Sequence, residues 1–356
     1  MKLFIDIGHP AHVHYFKNII VSLKKDGHSI LICARDKDVA HELLNNFKIP
    51  FISRGKGGNN LFEKFIYLFK ANGQLIKLAK NFGPDLFLSF ASPYAGQVAK
   101  VLRVAHISFT DTEHAKLGIL AFLPFCDFVI TPQVYKNNLG HKHIRFDGYM
   151  EQSYLGSKYF KPNKARLKIL NLKKNQKYVI IRLVSWDASH DIGQKGFRKN
   201  DLIELVHLLE NYAKVFISSE TKIPDILKKN ELLINPIHIH DILYYATLFI
   251  GEGATMASEC AIIGTPSIYI NSLTAGTLED QEKNGLMYIF NSTNGIKQKA
   301  LELLKDPEVK INQQKRCFQI MKNKIDVNIF IKWLVLNYPD STKKLKKNPD
   351  LQYSIK

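Results

Sequence analysis

Arginine and cysteine are scarce in this chain. Of the 50 basic residues among its 356, only 8 are arginine, which leaves 42 lysines. Nucleic-acid sites that read sequence rely on the bidentate arginine fork, so a formal charge of +18 carried mostly on lysine argues against base readout, and no nucleic-acid partner is expected. The four cysteines, Cys33, Cys126, Cys260 and Cys317, are far apart and form no CxxC pair, which argues against a zinc ribbon and fits a reducing compartment. No window holds 18 uncharged apolar residues, so no membrane-spanning helix is expected. The opening text, MKLFIDIG, is broken by Asp6 and Gly8 and is too short for a secretory leader. Together these absences point to the cytoplasm. The positive charge is either a solvated lysine-rich surface or one that attracts anionic lipid or phosphorylated substrates, the second setting the protein at the inner face of the cell membrane.

What the chain does have is enough apolar residue, 46%, for two cores. Residues 2 to 7 read as a buried strand, and 12 to 25 place Val13, Phe16, Ile19, Ile20 and Leu23 on one helical face. Residues 29 to 34 supply a second strand. The alternation continues with a helix near 37 to 46, a strand at 50 to 52, a long helix from 61 to 81, and strands near 85 to 90, 105 to 109 and 127 to 130. After Pro162 it begins again: strands at 178 to 184, 214 to 218, 247 to 250 and 267 to 270, with helices at 199 to 211, after Pro224, and after Gly253. Such alternation implies two α/β domains built on parallel sheets. The boundary falls near 155 to 165, giving an N-terminal domain of 1–155 and a C-terminal domain of 165–335. Residues 341–356, with five lysines against one aspartate, read as a mobile basic tail.

In open α/β sheets ligands sit beyond the carboxyl ends of strands, so the loops there carry the chemistry. In GEGATMASECAIIGTP, Gly251, Gly253 and Ala254 let backbone approach a ligand and Thr255 reads as a helix cap. The first turn, from Met256, offers N–H groups and a positive dipole end to a phosphate or diphosphate, and Glu259 suits ribose hydroxyls. A tight turn without ligand is the alternative, and Glu252 counts against phosphate unless its side chain turns away.

In IGHPAHVH, Gly8 makes the turn and His9, His12 and His14 crowd it. His12 and His14 lie about 200° apart on a helix, so one ion is not readily shared and no metal is expected. One histidine is expected to serve as acid/base or phosphate donor while another packs or caps. In SFTDTEHA, the cluster Asp111, Glu113 and His114 can tune a carboxylate toward general-base work or hold sugar hydroxyls; helix capping is the competing account. In IRLVSWDASHDIG, Arg182 and Ser185 can meet a phosphate, Trp186 can stack on a ring, and His190 with Asp191 can form an oriented pair, although Arg182 equally suits a local acid. Finally, in 59 to 80, core packing explains Phe65, Leu68 and Phe69, while the surplus of apolar residues beside Lys64, Lys70, Lys77 and Lys80 also suits a membrane-surface helix.

These residues together resemble the domain-of-unknown-function 354 family, whose members are similar to GT-B nucleotide-sugar enzymes. The matching text is DIGHPAHVH from Asp6, FTDTEHA from Phe109, PFCD from Pro124 with Thr131 and Pro132, GYME from Gly148, His190 with Asp191, and GEGATMASE from Gly251. At greater distance the last segment is similar to that of the glycosyltransferase of lipid II synthesis and of UDP-N-acetylglucosamine 2-epimerase. Both have a glutamate five residues before a Gly-x-Pro glycine, used on the ribose; Glu259 stands five before Gly264. The resemblance also sets His12 at the transferase's histidine and gives the epimerase's acids a counterpart in Asp111 and Glu113. It implies two Rossmann-like domains facing a cleft and a metal-independent, cofactor-free glycosyltransferase. Its partners would be a nucleotide-sugar donor and a sugar or lipid-linked acceptor. The alternatives are a nucleotide-sugar 2-epimerase or hydrolase, and a non-enzymatic sugar-nucleotide binder.

Overall fold

Every apolar run read as a strand becomes one, and each pairs in parallel with its neighbours. The computed structural model describes residues 1–58, 60–185 and 197–355. It divides into two compact units, Met1–Tyr154 with Ile325–Lys356, and Leu155–Lys324.

The first unit opens with β1 (Lys2–Ile7), α1 (Pro10–Lys25), β2 (Ser29–Ala34), α2 (Ala40–Asn46), β3 (Ile52–Ser53) and α3 (Leu61–Phe82). It continues through β4 (Leu86–Phe90), α4 (Pro93–Leu102), β5 (Ala105–Phe109), α5 (Lys116–Phe122), β6 (Phe128–Pro132) and β7 (His143–Phe146). The sheet order is β3-β2-β1-β4-β5-β6-β7. Strands β1 and β4 are buried along nearly their whole length, as in parallel sheets covered on both faces, and Phe4 stacks on Phe87 with centroids 4.8 Å apart. The chain winds from β1 out to β3, then returns to lay β4 on the other side of β1. The topological switch point, where such sheets bind ligands, is therefore between β1 and β4.

The short α6 (Gln152–Leu155) leads out of this unit. The second unit holds β8 (Tyr178–Leu183), α7 (Lys199–Glu210), β9 (Lys214–Ser219), α8 (Ile239–Tyr245), β10 (Leu248–Gly251) and α9 (Ala254–Ile262). Next come β11 (Ser267–Ile270), α10 (Gly276–Lys283), β12 (Tyr288–Phe290), α11 (Ile296–Lys305) and α12 (Val309–Met321). Its strand order, β12-β11-β10-β8-β9, puts the switch point between β8 and β10. Val179, Ile181, Ile250 and Ile268 supply the sheet side of its core, against Leu205, Leu209 and Leu304 from the helices. The segment after Pro224 is a 3-10 helix, Asp225–Asn230, rather than the expected α-helix.

The last helices, α13 (Val327–Leu336) and α14 (Asp340–Lys347), return to the first unit, so the 165–335 domain and the 341–356 tail need correction. In α13, Val327, Phe330, Ile331, Leu334 and Val335 are all fully buried, and Phe330 meets Phe146 with centroids 5.7 Å apart. Lys332 reaches Asp26 at 2.5 Å and Ser22 at 3.1 Å on the same unit. In α14 the lysines face water while Ser341, Thr342 and Leu345 point inward, and Gln352 accepts a hydrogen bond from the Asp147 N–H at 2.7 Å. Lysine masked a one-sided helical pattern.

Helix α3 also departs from expectation. Its buried face is Tyr67, Ala71, Leu75 and Ala79, four apart, so Phe65 and Phe69 lie on the opposite side at 60% and 63% exposure and Leu68 is half-buried. Phe62 and Ile66 share that outer side. Core packing does not account for them. Among the described residues no helix is long and apolar enough to cross a membrane.

Candidate functional site

Asp6, in the middle of an apolar strand, has no exposure. A buried carboxylate needs partners, and Arg54 beyond β3 supplies them: Nε donates to Oδ1 at 3.0 Å and Nη2 to Oδ2 at 3.4 Å. Ser92 Oγ, after β4, donates to Oδ2 at 2.5 Å, and Arg54 Nη1 donates to Tyr67 Oη at 2.7 Å. This network ties together the loop ends around the β1–β4 switch point. The sequence reading missed it, although an aspartate inside KLFIDI was a visible signal.

Directly above lie the predicted histidines. His9 caps α1, its Nδ1 accepting the Ala11 N–H at 3.2 Å. His12 Nδ1 accepts the Gly8 N–H at 3.3 Å, and its ring lies 4.9 Å from Phe90. In both rings the neutral form therefore carries its proton on Nε2. Burial, then the charges of Lys37 and Arg35, lowers His9 to about 3; burial, then His9, Lys37 and Arg54, holds His12 well below the usual histidine range. His12 is thus a neutral donor whose basic lone pair is already taken, which opposes the general-base role expected of it. His14 is buried, stacked 5.1 Å from Tyr154 and edge-on to Phe47, and serves packing.

The acids after β5 divide by environment. Glu113 is buried and its Oε1 accepts the Lys136 N–H at 3.0 Å, tying its turn to the loop after β6. Asp111 is half-buried, and its Oδ1 accepts a hydrogen bond from Thr112 Oγ1 at 2.9 Å. Burial, reinforced by Glu113 and offset by Thr112, raises its pKa to about 6. Tyr135, also missed, is buried beside them; burial and then the charges of Glu113 and Asp111 push its phenol up, and its hydroxyl has no hydrogen-bond partner among the described residues. His114 is half-buried in the turn and its carbonyl accepts the Lys116 N–H at 2.8 Å. Helix α5 starts after these residues with no side-chain cap, so capping does not explain the acids.

In the second unit, Glu252 sits at the switch point, 3% exposed. Its Oε2 accepts the Val184 N–H at 3.0 Å and its Oε1 the Phe197 N–H at 2.6 Å. Glu252 therefore clamps both stems of the loop after β8. His190, Trp186 and Asp191 lie outside the described residues. Arg182 pairs with Glu220 and donates to Ser218 Oγ at 2.7 Å, while the Ser185 N–H donates to Glu220 at 3.1 Å. Both predicted phosphate contacts are thus engaged by a local acid.

Gly251 is closely enclosed, since a Cβ there would overlap the Phe249 ring and lie 3.1 Å from Arg182 Cβ. The N-cap of α9 is Gly253, not Thr255, which sits one residue inside the helix. Ala254, Thr255 and Met256 are half-exposed in a first turn whose N–H groups have no intrahelical carbonyl to meet. One turn on, Glu259 is buried and its Oε1 lies 3.0 Å from His240 Nε2 on α8. His240 belongs to IHIHD, so that segment orients the glutamate. Gly264 ends the helix with φ +70, where a Cβ would lie 2.8 Å from the Gln314 backbone.

Two Rossmann-like parallel sheets, each loaded at its switch point, make this a GT-B-type α/β protein. It is similar to UDP-GlcNAc 2-epimerase from Neisseria meningitidis solved with UDP-GlcNAc, at TM-score 0.65 and 12% identity, covering 95% of this chain and 100% of that one. A glycosyltransferase of Streptomyces sp. SF2575 matches at TM-score 0.58 and 12% identity over 95% of this chain and 100% of its own. The chain belongs to the family described as protein of unknown function DUF354, matched over residues 1–330. An uncharacterized protein of Methanocaldococcus jannaschii is 26% identical over 278 residues, covering 75% of this chain and 81% of that protein.

Proposed function

We propose that the protein is a metal-independent glycosyltransferase that takes a nucleotide diphosphate-sugar, a UDP-sugar first, in cell-surface polysaccharide or glycolipid synthesis. The observation that carries this reading is the division of labour between two neighbouring carboxylates. Glu252 is spent on the Val184 and Phe197 N–H groups, while Glu259 is held by His240 one turn into α9. The N–H groups of Ala254, Thr255 and Met256 and the positive helix end take the diphosphate, half-buried Gly253 at the N-cap gives it room, and Glu259 accepts from ribose hydroxyls.

On the first unit Asp111 is the general base. A carboxylate raised to about 6 is largely ionised at neutral pH yet more basic than an ordinary aspartate. It takes the acceptor hydroxyl proton as the new C–O bond forms; the bond from the anomeric carbon to diphosphate breaks, and its electron pair leaves on the nucleotide. The charge growing on that leaving group is stabilised by the α9 dipole.

A second reading, epimerisation or hydrolysis of the same donor, is favoured by the Asp111 and Glu113 pair beside Tyr135. Incubation with UDP-sugar alone separates the two: turnover without acceptor supports the second, and acceptor-dependent transfer the first. Tight binding with neither would leave a sugar-nucleotide binder. A thermal-shift panel of UDP, GDP, CMP and their sugars comes first, because a ligand of the native state raises its melting temperature. No shift from any nucleotide refutes the whole reading.

The reading also sets the enzyme at an anionic bilayer. Phe62, Phe65, Ile66 and Phe69 line one exposed side of α3, among exposed Lys64, Lys70, Lys77 and Lys80, with Glu63 the helix's single acid. Aromatic residues framed by lysine match an anionic lipid surface in both polarity and charge. Phe65→Ser with Phe69→Ser should abolish co-sedimentation with phosphatidylglycerol vesicles while sparing UDP binding; undiminished co-sedimentation refutes the placement.

A further inference from the structure

Of the two guanidinium groups at the carboxyl ends of β2 and β3, Arg54 is spent on Asp6 and Tyr67, and Arg35 is not. The Arg35 N–H continues the β1–β2 pairing by donating to the Ile7 carbonyl at 2.8 Å, which sets Arg35 beside Gly8. Its guanidinium fills the space over Gly57, where a Cβ would overlap it, and its Cζ lies 6.0 Å from the Tyr67 ring centroid. Its Nε is buried and has no hydrogen-bond partner among the described residues. Buried N–H groups are rarely left unpaired, so an orphan guanidinium nitrogen at a strand end points to a missing acceptor.

The surroundings offer donors in place of that acceptor. Lys37, two residues on, is half-buried with no side-chain partner among the described residues. His9 and His12, with ring centroids 5.8 Å apart, both spend Nδ1 on backbone N–H groups and are left to donate from Nε2. Of the nearby acids, Asp6 is engaged by Arg54 and Ser92, Asp36 lies 3.6 Å from His41, and Asp38, next to Lys37, is exposed. The charges of Arg35 and Lys37 reach His9 strongly enough to help hold it neutral.

We infer that Arg35, Lys37, His9 and His12 form a phosphate-binding site on the first unit, and that the acceptor substrate carries a phosphate group. A guanidinium fork, an ammonium and two imidazole N–H groups exceed what the two oxygens of a carboxylate can satisfy, and they suit the three terminal oxygens of a phosphomonoester. The site belongs to the first unit, whereas α9, proposed for the donor, belongs to the second. Its assignment to an acceptor rests on the glycosyltransferase reading; the anion site itself does not.

The test uses the full chain with UDP at saturation, so that the second unit's diphosphate site is filled, and titrates inorganic phosphate and a short-chain, water-soluble phosphatidic acid by calorimetry. Wild type should bind at least one. Tighter binding of phosphatidic acid than phosphate identifies a lipid-borne phosphate, and the reverse a soluble phosphorylated acceptor. Arg35→Gln should weaken binding at least tenfold, Arg35→Lys less, with UDP affinity unchanged in both. Lys37→Gln carries the same test should Arg35→Gln fail to fold. Glu259→Ala should show the converse, losing UDP and keeping phosphate, so that failure of the donor reading and failure of the anion site give different results. Wild type that binds neither phosphate compound, or Arg35→Gln and Lys37→Gln that bind as wild type does, overturns the inference.

Discussion

Replacing Asp111 by asparagine should make the protein more stable and nearly inactive. Asparagine copies the shape of the protonated carboxyl and cannot ionise. The native environment raises Asp111 from 3.8 to about 6. At 1.36 kcal/mol per unit, this shift of about two units means that holding the charge costs the native state about 3 kcal/mol, or about 2 kcal/mol once solvent at a half-buried carboxyl is allowed for. A raised carboxyl pKa has a definite pH signature. Between about 4 and 6 the native chain binds more protons than the unfolded one, so this contribution to stability is present at low pH and is lost as pH rises through that window. The melting temperature of Asp111→Asn minus that of wild type should therefore be near zero at pH 4 and reach a plateau above pH 6. For a unit of this size about 2 kcal/mol corresponds to roughly 4–8 °C. Transfer from a UDP-sugar should fall by about 10²–10⁴-fold, the usual worth of a general base. A difference that stays flat with pH, or a variant less stable than wild type at pH 7.5, refutes the account of burial. Activity within tenfold of wild type removes Asp111 from the base role.

Three further outcomes follow from the geometry. Glu259→Ala should weaken UDP more than inorganic diphosphate, and His240→Ala should do the same to a smaller degree; equal loss for both ligands, read by calorimetry, removes the ribose role. Glu252→Ala leaves the Val184 and Phe197 N–H groups without their acceptor, so exchange of both amides should accelerate at least tenfold, on the scale of about 1–3 kcal/mol per unpaired buried group. Leu345→Ala, at a side chain 2% exposed, should cost about 2–5 kcal/mol of stability in a chemical denaturation curve, whereas a mobile tail would register nothing.

The alternation of strand and helix was legible because it depends on periodicity, which is local. Strands β2, β5 and β11 fall where the apolar runs place them, and so does the loaded turn from Gly251. What was not legible is pairing across distance. Nothing in IRLVSWD announces that Arg182 meets Glu220, nor in SECAII that Glu259 meets His240. The choice of which turn-loop histidine packs, caps or donates is likewise made by Tyr154, Ala11 and Gly8 rather than by the HPAHVH text. Helix α3 misled for a different reason: with apolar residues on two sides, spacing alone cannot say which side faces the core. At the carboxyl end, abundant lysine hid the inward set Ser341, Thr342 and Leu345.

Because Leu155–Lys324 lies between two segments of the other unit, the order of synthesis and the order of folding differ. On the ribosome the second unit has its whole sequence before the first does, and it can close as an uninterrupted stretch. The first unit must wait for α13, which carries Phe330, Ile331 and Leu334, and the surface those residues cover stays open until that helix has been made. A premature stop after about residue 324 would thus leave an intact second unit tethered to an unfinished first one, and a chaperone would meet the amino-terminal half rather than the more recently made one.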